Sequence, residues 1–395
     1  MQNHSEPNAY HTEQACNLDE FSLFCARTTQ KKHYPLATDI TNNILIYNGS
    51  DIINDLSDTR AYQEEFARAL LNGPGVIAIK NFFQDANAID RMSAVFEQIL
   101  EVESGFGAGD HFGAVSSRFS KNAQANGRIW NVFQKSADSD PETFIDYYKN
   151  PLLSCVSEAW LGPHFQVTAQ VNIVRPGGKA QISHRDYHLG FQQPEETLRY
   201  PLHSQQMSAM LTLQGAVAHS DMPLESGPTK LLPYSQLYPL GYVAYHQKDF
   251  QDYFEAHCVQ VPLEKGDAVF FNPALFHAAG ANLTSNLHRC ANLLQISSVF
   301  AKPMETVDLA HISRTIYPSL SALWDSEHLS REEKRTITTI AADGYSFPTN
   351  LDIDPPIGGL APETMEALLV RALDERLEPA SFERALAKLL EKQRA

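Results

Sequence analysis

The chain has 395 residues and a formal net charge of −16, with 43% hydrophobic and 20% charged residues, a globular composition that argues against wholesale disorder. Its length suits one large domain or two ordinary ones, either able to bury a substantial core. Because the balance is acidic and no long block of Lys or Arg occurs, the basic face of a phosphate-backbone binder is missing and no nucleic-acid partner is expected.

Residues 1–50 are polar and irregular and read as an N-terminal arm or loosely packed lead-in. Their start, MQNHSEPNAYHTEQ, lacks the apolar region of a signal peptide, no apolar run approaches a membrane span, and the final EKQRA is not a peroxisomal ending. The five cysteines (Cys16, Cys25, Cys155, Cys258, Cys290) are scattered and odd in number, without a Cys-x-x-Cys pair. That pattern speaks against a disulfide scaffold and a thiolate zinc site, so a soluble, cytoplasmic protein with reduced thiols and no membrane partner is expected. The Asn-x-Ser/Thr triplets at Asn48 and Asn282 then read as chance.

From Thr59 the apolar positions Tyr62, Phe66, Ala69 and Leu70 predict a helix ending at Gly73-Pro74-Gly75. GVIAIKNFF (75–83) reads as a strand, and Ile89, Met92, Phe96, Ile99 and Leu100 predict a second helix. GFGAGDHFGAVSS (105–117) is too glycine-rich for either and reads as a long loop. With residues 188–205 it is a candidate for a mobile rim over the site developed below, a static surface loop being the alternative. From about 165 to 300 the texture becomes short β-like runs: FQVTAQVNIV, QISHRDY, QMSAMLTLQGAVA, TKLLP, DAVFF and RCANLLQISSVF. Turn signals such as PGG, ESGP and EKGD separate some of them, which predicts a sandwich or barrel. Beyond about 305 the pattern is helical, closing with ETMEALLVRALDERL and FERALAKLLEKQ around Pro379. The expected organisation is a polar arm (1–50), a β-rich domain with N-terminal helices (51–305) and a C-terminal helical extension (306–395).

The stretch QISHRDYHLGF (181–191) carries the chemistry. As a helix, His184 and His188 would mimic the His pair of a zinc protease, but Arg185 stands where that motif needs its Glu base, and Pro176-Gly177-Gly178 and Gly190 leave little room for a helix. As a strand, it turns His184 and Asp186 to one side and Arg185 and Tyr187 to the other. This supplies two members of a two-His, one-carboxylate triad, a ligand set suited to Fe(II) with adjacent positions left open. A lone His-x-Asp is weak evidence, since the triplet arises often by chance. EKGDAVFFNPALFHAAGANLTSNLHRCANLLQISS adds His277 as a candidate third ligand, and Arg289, opening the next strand, as a guanidinium that could grip a carboxylate with two parallel hydrogen bonds. An open iron site beside a carboxylate clamp is what a 2-oxo acid cosubstrate requires. Gln170 and Asn172, one strand earlier, are candidates to donate to that cosubstrate, with core or ladder-edge roles as the alternative. His188 reads as a pocket or surface imidazole, His288 as pointing away from Arg289's side, and Arg128 and Trp130 as packing residues or a pocket wall. No Gly-x-Ser-x-Gly elbow or Walker loop is present.

The order His-x-Asp, then SGPTKLLPYSQ (226–236), then His-x-x-Gly-x-Asn and Arg, resembles the phytanoyl-CoA dioxygenase-like family, and the opening GVIAIKNFF followed by a helix is similar too. The resemblance covers roughly residues 60–300. It implies a double-stranded β-helix (jelly-roll) barrel, here a mainly β core with helices (α+β) and helical extensions at both ends. It also implies Fe(II) held by His184, Asp186 and His277, 2-oxoglutarate clamped by Arg289, O2 as oxidant, and a small-molecule substrate hydroxylated at an unactivated C–H bond. Asn282 matches the Asn five residues after the distal His. Members often carry Ser two residues after that His, where this chain has Ala279. Their Pro-Gly-Ser-His signature reads Pro233-Tyr234-Ser235-Gln236 here, and the His-to-Arg spacing is one residue longer than the commonest form. The halogenating branch replaces the Asp by a small residue, which Asp186 argues against. Clustered cations that would receive the phosphates of a CoA carrier are missing, so a free small metabolite or biosynthetic intermediate is the expected substrate. The alternative class is a cupin-like metal barrel, an isomerase or binding module, which would have no use for Arg289.

Overall fold

The apolar runs rich in β-branched and aromatic residues pair into one large sheet. In the computed structural model, which describes residues 8–55, 59–103 and 126–394, the strands are β1 (Asp39–Thr41), β2 (Ile44–Asn48), β3 (Val76–Lys80), β4 (Gly127–Ile129), β5 (Gln166–Val174), β6 (Thr212–Ala218), β7 (Lys230–Leu231), β8 (Ala268–Phe271), β9 (His277–Ala278) and β10 (Arg289–Ser297). The large sheet runs β1-β2-β3-β8-β6-β10-β5-β4, and β7 and β9 form a second, two-stranded sheet. Among the described strands only β2 and β3 are parallel neighbours; the other pairs are antiparallel.

Period-two alternation assigns the two faces of the large sheet. Leu45, Tyr47, Ile77, Ile79, Phe270, Val217, Leu294 and Val171 face a layer of helices. That layer includes Arg60–Leu71, Ala86–Glu103, Pro141–Tyr148, Pro151–Leu161 and, from the far end of the chain, Leu309–Trp324 and Pro379–Gln393. Several of these helices start where the sequence supplies a cap. Asp140 and Asn150 accept from the first-turn N–H groups and are each followed by Pro, while Ser330 and Glu333 form a capping box ahead of Arg331–Ala341. The opposite sheet face, with Ile44, Val76, Ala78, Ala216, Val269 and Phe271, meets Met222, Leu231, Val261, Leu263 and Leu275 of the smaller layer. The result is a mixed α+β architecture in which one sheet face carries helices and the other closes over a cavity. Among the described residues, no helix is long and apolar enough to cross a membrane.

A polar chain crosses the helical layer. Ser93 Oγ donates to the Ile89 carbonyl, so it accepts from Nδ1 of the buried His219 (2.8 Å), whose Nε2 then accepts from the Tyr147 hydroxyl (2.9 Å). Burial pulls the His219 pKa down to about 3, and the ring stays neutral.

Three expectations need correction. The first fifty residues are not merely a loose arm. Helix Leu18–Cys25 buries Phe21 against Tyr238, Phe250 and Phe276, and β2 buries Ile44 to Tyr47 within the sheet. The run QMSAMLTLQGAVA is not one strand: helix Leu202–Met210 ends just before β6. That helix has no apolar stripe, since Met207 and Met210 are exposed and Gln205 and Ser208 are buried, so periodicity could not reveal it. Finally, QISHRDY is extended but makes no regular ladder. Its N–H groups at Gln181, His184 and Asp186 donate to the carbonyls of Ala279, His277 and Pro273, and Pro273 has no N–H to return.

Candidate metal centre

His184 and His277 exchange both backbone hydrogen bonds: His184 N–H donates to the His277 carbonyl (3.0 Å) and His277 N–H to that of His184 (3.1 Å). Such a pair sets two side chains next to each other, and the ring centroids stand 4.4 Å apart. Each Nδ1 lies against the carbonyl two residues back, Ile182 at 2.9 Å for His184 and Leu275 at 2.8 Å for His277. A carbonyl only accepts, so both Nδ1 atoms carry a proton and each ring turns its Nε2 toward the site. Asp186 brings its carboxylate to the same point, Oδ1 3.8 Å from His184 Nε2 and Oδ2 3.6 Å from His277 Nε2. One ligand atom from each of the three lies within 4.8 Å of the others.

All three side chains are buried. Asp186 Oδ2 accepts from the Gln214 amide, while Oδ1 has no hydrogen-bond partner. Burial opposes ionisation of Asp186, but the adjoining His184 and His277 side chains and the Gln214 amide outweigh it and hold the carboxyl well below the ordinary range. The two Nε2 atoms and the unpartnered Oδ1 face one another closely enough that a cation could sit between them. The donor set, two imidazoles and one carboxylate, fits Fe(II). The backbone behind it is fixed as well: Asp186 N–H donates to Pro273, and the Tyr242 hydroxyl donates to the Asp186 carbonyl at 2.8 Å.

Arg289 opens β10 on the same face as Ala291, Leu293 and Gln295, all lining one pocket with the triad. Its Nη1 donates to the carbonyls of Ser226 (2.8 Å) and Gly280 (3.3 Å). These carbonyls converge because Gly227, at φ 71°, lies so close to the next segment that a Cβ there would stand 2.2 Å from the Ala281 carbonyl oxygen. Among the described residues no carboxylate pairs with Arg289, and its Nε and Nη2 have no hydrogen-bond partner. Burial lowers its pKa to about 10, which leaves it charged at neutral pH. A buried cation with half its fork open and no counter-ion calls for an anion from outside the chain.

The pocket has a cavity volume of about 120 Å³. Gln170 and Asn172 project into it from β5, with Gln214 from β6. Gln170 is already engaged: its Oε1 accepts from Arg128 (3.0 Å) and its Nε2 lies 3.4 Å from Met304 Sδ. Arg128 and Trp130 line the same wall, the guanidinium 4.5 Å above the indole. Ala279 has no hydroxyl to offer the pocket; Thr229, after Gly227-Pro228, lines it. Asn282 is structural. Its amide donates to the Val174 and Leu287 carbonyls and its Oδ1 accepts from Thr284, so it shapes the bend that carries the chain from His277 to Arg289. In the Pro233–Gln236 turn, Gln236 binds the Gly73 carbonyl, away from the triad. His188 contacts Ser208 outside the triad, and His288 is exposed. Residues 105–117 lie outside the described residues; of the second rim segment, Phe191 reaches the pocket from the turn His188–Phe191.

Sequence reasoning did not single out Gln214, Tyr242 or Thr229. Gln214 had a signal: it is a long polar side chain at an inward position of the strand TLQGAVA, which is otherwise apolar beyond its first residue, Thr212. Tyr242 and Thr229 act through tertiary placement alone.

The family model described as phytanoyl-CoA dioxygenase matches residues 71–290. A relative, dioxygenase trt7 of Aspergillus terreus (strain NIH 2624 / FGSC A1156), is 26% identical over 182 residues, 45% of this chain and 57% of that protein, so the chain spans little more than half of that relative's length. Among solved structures, the chain is similar to the non-heme alpha ketoglutarate dependent epimerase SnoN from nogalamycin biosynthesis (18% identity, 60% of this chain and 84% of that one, TM-score 0.42). It is also similar to AviO1 from Streptomyces viridochromogenes Tue57 (18% identity, 62% and 97% covered, TM-score 0.43).

Proposed function

The chain belongs to the phytanoyl-CoA dioxygenase family, and from that premise we propose that it is an Fe(II)- and 2-oxoglutarate-dependent dioxygenase hydroxylating an unactivated C–H bond of a small metabolite. His184, Asp186 and His277 hold the metal, and Arg289 receives the far carboxylate of 2-oxoglutarate on its open Nε and Nη2. Thr229 offers the hydroxyl that Ala279 lacks, and Gln170 and Asn172 line the wall where the cosubstrate lies. The observation that carries the reading is the pairing, in one pocket, of a converging His-Asp-His donor set with a charged, counter-ion-free guanidinium. A cupin-like metal barrel has no need of that guanidinium.

Iron, when bound, supplies the redox chemistry that couples oxidation of substrate by O2 to decarboxylation of 2-oxoglutarate: one oxygen atom enters the hydroxylated product, the other enters succinate, and CO2 leaves. The chain's own part is placement. The Nδ1 hydrogen bonds to Ile182 and Leu275 keep both imidazoles in the ligating tautomer, and the Gln214 amide orients the Asp186 carboxylate. The apolar walls, Leu231, Val261, Leu263 and Phe271 among them, keep water from the reacting atoms.

We read the two sheets as a double-stranded β-helix, with the helices beyond residue 306 as an extension that supports its outer face. Beside the centre, a second cleft is lined by Ile182, Tyr187, Phe191, Met304 and the amides of Gln192 and Gln193, with no Lys, Arg, Asp or Glu among its described lining. It suits an uncharged substrate better than a phosphorylated or CoA-bound one. The test is succinate formation from 2-oxoglutarate by the Fe(II)-loaded chain across a panel of small metabolites. One or more metabolites should raise it above the substrate-free rate. A protein that binds Fe(II) yet forms no succinate with or without any of them would refute the activity.

A further inference from the structure

Arg185 stands between two members of the triad and turns away from both. It is 2% exposed, its Nη2 donates to the carbonyls of Ser235 (2.6 Å) and Tyr238 (3.0 Å), and its Cζ lies 5.2 Å from the ring centroids of both Tyr242 and Phe276. Among the described residues no carboxylate pairs with it. A buried guanidinium without a counter-ion is costly, and an apolar side chain would fill the space more cheaply. The surrounding chain is nevertheless shaped to receive it: a Cβ on Gly241 would stand 1.8 Å from Arg185 Cζ.

Each group that the guanidinium touches leads to one arm of the metal centre. The Ser235 hydroxyl, in the turn whose carbonyls Arg185 binds, accepts from the N–H of Phe276, the residue before His277 (2.8 Å). The Tyr242 ring lies against the guanidinium, and its hydroxyl donates to the Asp186 carbonyl. Arg185 thus ties the segment of His184 and Asp186 to the segment of His277 from behind.

We infer that Arg185 is a positioning residue that fixes the spacing between the His184–Asp186 arm and the His277 arm, and so sets metal affinity without touching the metal. The inference rests on the proposed metal reading. Lysine cannot replace the guanidinium here: an ammonium could donate to the two carbonyls that Nη2 serves, but it has no flat face to pack between the Tyr242 and Phe276 rings. Tyr242 transmits the effect to Asp186, so its hydroxyl should matter only while Arg185 holds the ring.

The test uses the full chain, titrated anaerobically with Co(II) and followed by its visible ligand-field absorption, with thermal melting of the metal-free forms alongside. Arg185→Lys should raise the Co(II) Kd about 10- to 100-fold, the range expected for residues supporting metal ligands, and should change the band shape. Tyr242→Phe should raise it several-fold, and the double variant should be no weaker than Arg185→Lys alone. A Kd within twofold of wild type in Arg185→Lys, whatever its melting temperature, would show that the guanidinium only packs, and strictly multiplicative effects of the two substitutions would overturn the shared route. Should Arg185→Lys fail to fold, Tyr242→Phe decides: a Kd within twofold of wild type overturns the inference. Failure of the wild-type chain to bind Co(II) would instead overturn the metal reading itself.

Discussion

Arg289→Lys is the substitution that most sharply separates cosubstrate binding from metal binding. In the structure, Arg289 Nη1 is occupied by the carbonyls of Ser226 and Gly280, while Nε and Nη2 are open toward the pocket. A carboxylate docking there gains two charge-assisted hydrogen bonds. Lysine keeps the charge, but its ammonium cannot satisfy those carbonyls and also present a planar pair of donors. Losing one charge-assisted bond costs about 1.5–3 kcal/mol, which corresponds to a rise of roughly 10- to 150-fold in the KM for 2-oxoglutarate. The metal ligands are untouched, so the Co(II) Kd measured without 2-oxoglutarate should stay within about threefold of wild type. The assay is succinate formation against 2-oxoglutarate concentration at saturating metal. A KM within threefold of wild type, or a loss of metal affinity with 2-oxoglutarate dependence unmoved, would show that Arg289 serves the fold instead.

Replacing His184, Asp186 or His277 by Ala should abolish succinate formation while leaving melting of the metal-free chain within a few degrees, because each removes a ligand from a backbone held by other bonds; full activity in any of them under limiting iron would refute the triad. Thr229→Val should raise the 2-oxoglutarate KM roughly tenfold by removing one hydroxyl–carboxylate bond, with Co(II) affinity unchanged, and an unchanged KM would remove Thr229 from the site. His219, whose pKa burial depresses to about 3, stays neutral in the fold but takes a proton near pH 6.5 once unfolded. The unfolded chain therefore binds more protons as the pH falls below about 6.5, and stability drops by about 1.4 kcal/mol per pH unit until about pH 3. Urea unfolding at pH 7 and pH 5 should show a loss in wild type about 2 kcal/mol larger than in His219→Gln; equal losses would mean that His219 already carries charge in the fold.

Much of the candidate centre was legible because its three candidate ligands lie on extended chain. Alternation alone turned His184 and Asp186 to one side and Arg185 to the other, and it did so even though residues 181–187 make only a broken set of backbone bonds with 273–279. His277 and Arg289 could be found from chain order and spacing, since a turn, a strand and a bend separate them. The residues that escaped notice act across long sequence distances. Tyr242 reaches the Asp186 carbonyl from a short helix, and Thr229 enters the pocket from a loop. The same limit hid the N-terminal packing. Phe21 and the short apolar run Ile44 to Tyr47 sit within a polar stretch, and only Tyr238 and β3 supply their partners. The helix Leu202–Met210 escaped for the opposite reason, since it buries Gln205 and Ser208 with Ala209, exposes Met207 and Met210, and carries no periodic signal.

The central claim is that one pocket holds Fe(II) on His184, Asp186 and His277 and 2-oxoglutarate on Arg289. Its most direct test is the visible absorption of the anaerobic chain titrated with Fe(II) and then 2-oxoglutarate. The account predicts a weak charge-transfer band that appears only when both are present, is lost in His277→Ala, and needs a much higher 2-oxoglutarate concentration in Arg289→Lys. A protein that binds one Fe(II) through these residues yet shows no band at saturating 2-oxoglutarate would contradict it.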